Sequence, residues 1–411
     1  MSADNPTIDW SFETKQIHAG QSPDAATNAR ALPIYQTTSY TFNNTDHAAA
    51  LFSLAEPGNI YTRLMNPTTD VVEQRIAALE GGVAALFLSS GQAAETFAIL
   101  NIAGAGDHVV SSPRLYGGTY NLLHYTLPKI GIEVSFVDDP HDLDQWRAAS
   151  KANTKAFFGE VLPNPKNDVF DIEGVSAVAH EVGVPLIVDN TVASPYGINP
   201  LKWGADIVVH STTKYINGHS DVVGGAVLWR DAALGEKLAW WCNCLGLSGA
   251  PFDSYLTLRG LRTLKARFNV HEANAHALAQ LLDAHPAVRI VHYPGLESHP
   301  GHALAKRQQA GFGAMLGFEL EHGELGARAF VEGLQHFTLA ESLGGVESLV
   351  CHPAGMTHAA MAPEARRRAG IGDGLLRLSV GIEDVEDLLD DVRAGLDRAL
   401  ACNPARTASV A

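Results

Sequence analysis

Two residues of this chain have the types and spacing for carbanion chemistry: Asp189 in Val188-Asp189-Asn190-Thr191 and Lys214 in Ser211-Thr212-Thr213-Lys214-Tyr215. Each lies just past an apolar run of strand length. A carboxylate at the end of a buried strand is costly unless paired. A protonated pyridine nitrogen would suit it; a helix cap or a structural salt bridge would serve as well. The chain has only ten lysines. Burial of Lys214 would lower its pKa and free a neutral amine to bond an aldehyde. Taken alone, it also reads as a surface lysine after a strand. Together, a carboxylate and an amine 25 positions apart on successive strand ends can hold the two ends of one pyridine-aldehyde cofactor. Such a ring is an electron sink for carbanions at Cα.

Two glycine segments fit the same ligand. Leu88-Ser89-Ser90-Gly91-Gln92-Ala93-Ala94 reads as strand, turn and helix start, which makes an anion cradle. It matches neither GxGxxG nor GxxxxGK, which argues against a dinucleotide or an NTP. Ser211 and Thr213 would face one side of an extended backbone and could complete that cradle. In Leu115-Tyr116-Gly117-Gly118-Thr119 an aromatic ring beside two glycines could lie on a planar ring; a turn with a packed tyrosine has the same pattern.

The positioning elements follow from periodicity. Thr69 to Leu79 has helical spacing after a capping start, and Ala84 to Leu88 is a short apolar strand. Val175 to Val182 reads as a helix, with strand runs at 184–188 and 205–209. Buried runs alternating with helices predict a mainly parallel sheet, with ligands at the strands' carboxyl ends. Near residue 260 the pattern shifts. A long helix over Thr257–Asn274 leads to a region with a strand over Gly313–Leu320 and a helix over Val385–Leu400. The expectation is an α/β chain with an N-terminal arm (1–60), a large cofactor-binding domain (61–260) and a smaller α+β domain (261–411). The arm reads as irregular and the tail after Cys402 as frayed.

Composition narrows the class. The net charge of −16 argues against nucleic acid or an anionic membrane as partner, so an anionic ligand needs local donors. No apolar stretch reaches about 18 residues. Met1 to Trp10 lacks a signal-peptide pattern. Four cysteines, Cys242, Cys244, Cys351 and Cys402, have no zinc spacing and read as reduced thiols of a cytoplasmic protein. No metal site is expected.

With these segments in view, the chain from about Ile17 to Leu400 resembles the cystathionine γ-synthase, γ-lyase and O-acetylhomoserine sulfhydrylase family. The resemblance implies a type I pyridoxal 5′-phosphate (PLP) fold and a homotetramer of dimers with active sites at a dimer interface. It makes Lys214 the PLP lysine and proton shuttle, Asp189 the pyridine partner, and Tyr116 the stacking ring and acid–base group. It assigns Gly91, Gln92, Ser211 and Thr213 to the phosphate cradle. Tyr61 and Arg63, in Tyr61-Thr62-Arg63-Leu64-Met65-Asn66-Pro67-Thr68, would reach the neighbouring subunit's phosphate. Arg377, in Leu376-Arg377-Leu378-Ser379, would clamp the substrate α-carboxylate with an arginine fork, assisted by Ser342 and Asn164.

Subfamily motifs are mixed. Ile17-His18-Ala19-Gly20-Gln21 and Leu32-Pro33-Ile34-Tyr35-Gln36 resemble the sulfhydrylases. Asn217-Gly218-His219-Ser220-Asp221 and Met356-Thr357-His358-Ala359 resemble the γ-synthases. Ile60 stands where synthases and lyases usually carry an acid for the distal ammonium of cysteine or cystathionine; Glu341 could compensate. Gly118 stands where methionine γ-lyases have cysteine. The resemblance implies γ-replacement on an O-acyl-L-homoserine by a thiol. γ-Elimination from cystathionine is the alternative, and an aminotransferase or a non-catalytic scaffold represents other classes. His18, His219 and His358 read as structural or rim residues, Trp240-Trp241 as core or interface, and Cys242-Asn243-Cys244 as inert.

Overall fold

The computed structural model describes residues 10–235, 237–357, 359, 366 and 370–402. Seven strands form the large sheet: β1 (Ala84–Leu88), β2 (His108–Ser111), β3 (Glu133–Phe136), β4 (Thr154–Glu160), β5 (Leu186–Asp189), β6 (Ile207–Ser211) and β7 (Gly225–Trp229), in the order β1-β7-β6-β5-β4-β2-β3. β7 runs antiparallel to β1 and β6 on either side; β6, β5, β4, β2 and β3 pair in parallel. The fully buried run Ile187-Val188 in β5 and its equivalents in β4 and β6 show why these strands read as continuous apolar segments. Both faces are covered, so no polar alternation is needed. A second sheet contains β8 (Val288–His292), β9 (Met315–Leu320), β10 (Thr338–Leu339), β11 (Leu349–Cys351) and β12 (Leu375–Ser379), in the order β10-β11-β12-β9-β8 and mostly antiparallel.

Local chemistry sets the helix boundaries. The first large helix spans Pro67–Glu80, opening earlier than Thr69 because Asn66 caps it and proline occupies its first position. Asp171 caps Ile172–Val182, and Gly183 closes it in the left-handed region. The single helix expected over Thr257–Asn274 is two, Pro251–Leu261 and Leu264–Ala284. The break lies at Arg262-Thr263. There Gly260 packs so tightly on the 216–217 backbone that a Cβ would lie 2.2 Å from the Asn217 carbonyl oxygen. The N-terminal arm is not wholly irregular: it carries helices Phe12–His18 and Thr45–Phe52.

His18 and His219 are exposed and Trp240 is 58% exposed, while the Trp241 ring packs on the core beside it. His358 and the tail beyond Cys402 lie outside the described residues. The cysteines at 242, 244, 351 and 402 are unpaired. Among the described residues no helix is long and apolar enough to cross a membrane, and no group of three or more His, Cys, Asp or Glu is placed to hold a metal ion.

Candidate active site

Parallel strands ending in register bring carboxylates and hydroxyls to one edge of the large sheet. Asp189 closes β5 directly opposite Glu160, which closes β4; Ser211 closes β6. The Thr191 N–H donates to Asp189 Oδ1 at 2.7 Å, and the Thr191 hydroxyl accepts from the Ser211 N–H at 2.7 Å. This short loop fixes the Asp189 carboxyl relative to the next strand end. Burial pushes the Asp189 carboxyl up, opposed by the Thr191 donors, the nearby His210 and a hydrogen bond from Glu95. His210 is buried and shares a 2.6 Å contact with buried Glu80.

The helix Gly91–Leu100 points its N-terminus at Ser211. A Cβ on Gly91 would lie 2.7 Å from Ser211 Cβ and 2.9 Å from its Cα, so only glycine permits this approach. The Ser90 hydroxyl caps the Ala93 N–H, which leaves the Gly91 and Gln92 N–H groups at the open end. The Gln92 side chain turns away to donate to Glu95 Oε2 at 2.9 Å. Thr213 departs from simple strand alternation. β6 ends at Ser211, the chain turns, and the Thr213 hydroxyl bonds both the N–H and the carbonyl of Gly224 at 3.0 and 3.2 Å.

Lys214 is half-buried, and its Nζ donates to Ser342 Oγ at 3.1 Å. Burial lowers its pKa, and the Arg377 charge lowers it further; the Glu341 carboxylate pulls the other way. Arg377 on β12 is 1% exposed. It donates through Nη1 to Asn164 Oδ1 at 3.0 Å and through Nη2 to the Ser342 carbonyl at 2.7 Å. Its Nε has no partner, and among the described residues no carboxylate forms an ion pair with it. A buried guanidinium with an open donor is a site for an anion from outside the chain.

Tyr116 is 37% exposed, its N–H donates to Glu160 Oε1 at 2.7 Å, and burial raises its phenol pKa with Glu341 adding to the rise. A Cβ on Gly118 would fall 2.5 Å from the Tyr116 ring, so this glycine leaves the ring its place. Glu341 is exposed and acts electrostatically on both Lys214 and Tyr116. Tyr61 and Arg63 stand apart. The Arg63 guanidinium lies 5.1 Å from the Tyr61 ring centre, and its Nε donates to Asn243 Oδ1 at 2.9 Å. Ile60 is buried, 8% exposed.

Three residues of the sheet edge were not read from the sequence: Glu160, Glu95 and Thr191 as a link. Glu160 carried the same signal as Asp189, a carboxylate ending the apolar run Ala156-Phe157-Phe158-Gly159. Glu95 had none, because an acid one turn into a helix usually faces water.

This arrangement fits a phosphorylated pyridine-aldehyde. Buried carboxyls at the strand edge form no ion pair with a lysine or arginine among the described residues, a glycine cradle opens at a helix N-terminus, and a lysine of lowered pKa lies beside a buried guanidinium that has no carboxylate partner there. The sheet order and this edge define a PLP-dependent enzyme of fold type I. The sequence model of the Cys/Met metabolism PLP-dependent enzymes matches residues 13–397, and the chain belongs to that family. It is 46% identical to the O-acetyl-L-homoserine sulfhydrylase of Leptospira meyeri over 93% of this chain and 96% of that protein. It superposes on the cystathionine gamma synthase of Xanthomonas oryzae pv. oryzae in complex with cystathionine with a TM-score of 0.91, at 49% identity, covering 96% of this chain and 100% of the other. A putative O-acetylhomoserine (thiol)-lyase of Campylobacter jejuni, solved with a pyridoxyl-lysine phosphate, gives a TM-score of 0.91 at 36% identity over 94% of this chain and 100% of that one.

Proposed function

We propose that this chain catalyses γ-replacement on an O-acyl-L-homoserine, expelling the acyl group as a carboxylate and bonding a thiol sulfur to Cγ. The observation that carries the reading is the double contact of Ser342, which touches the Lys214 amine through its hydroxyl and the Arg377 guanidinium through its carbonyl. An α-carboxylate on Arg377 sets the substrate Cα beside the amine that must take its proton.

PLP, when bound, supplies the electron sink that acidifies the substrate's Cα and Cβ hydrogens. Lys214 would hold its aldehyde end, Asp189 would face its ring nitrogen, Tyr116 would cover the ring, and Gly91, Gln92, Ser211 and Thr213 would cradle its phosphate. Arg377 orients the substrate with Asn164 and Ser342 as braces. With its lowered pKa, Lys214 accepts the Cα proton, passes it on, then accepts the Cβ proton, and returns protons to Cβ and Cα once the sulfur has bonded Cγ. Tyr116, kept protonated by its raised pKa, donates to the departing acyl oxygen and accepts the thiol proton. Tyr61 and Arg63 complete a neighbouring subunit's phosphate site in a homotetramer; their exposed stacked pair supports that role. The accompanying division is an arm (1–60), a PLP domain (61–260) and a C-terminal domain (261–411), in a cytoplasmic setting that suits four unpaired cysteines.

Glu341 favours a second reading, γ-elimination from cystathionine. Its exposed carboxylate, near both Lys214 and Tyr116, can pair with a distal ammonium where Ile60 cannot. Mass spectrometry of PLP-loaded protein decides between them. Incubations contain O-acetyl-L-homoserine with cysteine, with sulfide or alone, beside cystathionine alone. Cystathionine or homocysteine as product supports replacement and names the nucleophile. 2-Oxobutyrate alone, with ready breakdown of cystathionine, overturns it.

A further inference from the structure

The helix Pro67–Glu80 ends on a carboxyl that water does not reach: Glu80 is 0% exposed. A carboxyl buried this far is costly unless its oxygens are hydrogen-bonded. Its partners come from three other segments. Oε1 lies 2.6 Å from His210 Nε2 on β6 and accepts from Asn190 Nδ2 at 2.7 Å, while Oε2 accepts from Asn199 Nδ2 at 3.2 Å. Asn190 and His210 are fully buried too. Both are direct neighbours of the candidate site: Asn190 follows Asp189 at the end of β5, and His210 precedes Ser211 at the end of β6. Asp189 lies opposite Val209 across the two strands, and the Asn190 N–H donates to the Val209 carbonyl at 3.0 Å. Side chains alternate along a strand, so Asp189 and Ser211 face one side of the sheet and His210 the other. Glu80 therefore grips both strand ends from the side away from Asp189. The Asn190 amide also reaches the Ser194 and Ile198 carbonyls at 3.2 and 2.9 Å, so the loop after Asp189 closes on the same point. A strand end that slides here breaks bonds that no water can replace, which makes the arrangement a lock on register.

We propose that Glu80 is a positioning residue for the cofactor: by holding Asn190 and His210 on one oxygen it fixes the end of β5, and with it the Asp189 carboxyl, against the ring nitrogen of PLP. It acts from the opposite face of the sheet without touching the cofactor. The inference rests on Asp189 facing that nitrogen, as proposed above.

For the test, each full-length protein is filled once with PLP and once with the analogue carrying CH in place of the ring nitrogen, and equilibrium dialysis gives the ratio of the two affinities. In Glu80→Leu the preference for the nitrogen compound falls roughly tenfold, because a displaced Asp189 gives up about one hydrogen bond to a charged group. Glu80→Gln keeps an oxygen for Asn190 and His210 and stays within about threefold of the parent. His210→Leu removes one arm of the grip and also lowers the ratio; it carries the test should Glu80→Leu fail to fold. Equal weakening of both cofactors in the leucine variants that fold means that Glu80 serves only the stability of the fold, and overturns the inference. A Glu80→Gln ratio as low as that of the leucine variants means that charge matters and not the shared hydrogen bonds, and overturns it too. Asp189→Asn separates the two levels: an unchanged ratio there removes the underlying reading of Asp189, whereas a lowered ratio there beside unchanged ratios in Glu80→Leu and His210→Leu removes this inference alone.

Discussion

Arg377→Lys keeps the positive charge on β12 and removes the fork. The parent guanidinium spends Nη1 on Asn164 and Nη2 on the Ser342 carbonyl, leaving its Nε and the second hydrogens of its terminal nitrogens for a substrate. Lysine has three donors on one nitrogen and a shorter reach, so satisfying Asn164 or Ser342 draws it from the carboxylate. The expected loss is one hydrogen bond between charged groups, about 1.5–3 kcal/mol, equivalent to roughly 10- to 150-fold in affinity. The assay titrates homoserine and 3-aminopropan-1-ol, which is homoserine without its carboxyl group, into PLP-loaded protein and follows the cofactor's visible spectrum. The variant binds homoserine more weakly by that factor and 3-aminopropan-1-ol as the parent does. Equal losses for both ligands would refute the reasoning, because Arg377 would then brace the site and not bind the carboxylate.

Gly91→Ala puts a methyl 2.7 Å from Ser211 Cβ and 2.9 Å from its Cα, so the cradle must open. Cofactor affinity falls about 10- to 100-fold, as overpacking strain of roughly 1–3 kcal/mol predicts, and equilibrium dialysis reads the loss. Burial pushes the Glu73 carboxyl up to about 8 although the Phe87 N–H donates to it. The fold therefore keeps this proton while the unfolded chain releases it above its ordinary value near 4.5, and stability drains away as pH rises from there toward 8. Glu73→Gln flattens that slope: urea melts show a gain of about 1–3 kcal/mol at pH 8 and none at pH 4.

How much was legible follows from what each residue needs. Asp189 and Lys214 sit past short apolar runs of strand length that alternate with helical segments, so both strand ends could be placed from the sequence. Arg377, Ser342 and Asn164 come from distant segments and carry no mutual spacing; only resemblance joined them, and the structure brings all three into contact. Glu95 was illegible because its burial arises when the helix Gly91–Leu100 packs on β6 and β7 with Thr119 beside it, a tertiary fact that local pattern does not contain. The strand alternation read across Ser211 and Thr213 does not hold for a similar reason. Alternation holds only while a strand continues, and β6 stops at Ser211. The helix break at Arg262-Thr263 is likewise set by the 216–217 backbone pressing on Gly260, some forty residues away.

Ser342 links these observations to an energetic cost. Its φ of 141° is a conformation that side chains avoid, and such strain costs about 1–3 kcal/mol. It persists because the residue is held from both sides: its carbonyl by Arg377 and its hydroxyl by Lys214, while the Gly344 N–H donates to Ser379 Oγ at 2.8 Å nearby. Ser342→Gly and Ser342→Ala both delete the hydroxyl, and only glycine relieves the strain. Both should therefore slow turnover alike, by up to about tenfold for one bond to an amine. The glycine variant should be the more stable in urea by about 1 kcal/mol, strain relief less the glycine entropy cost. An alanine variant as stable as glycine would show that the backbone there stores no strain. Turnover equal to the parent's in both would show that the Ser342 hydroxyl does not place the Lys214 amine.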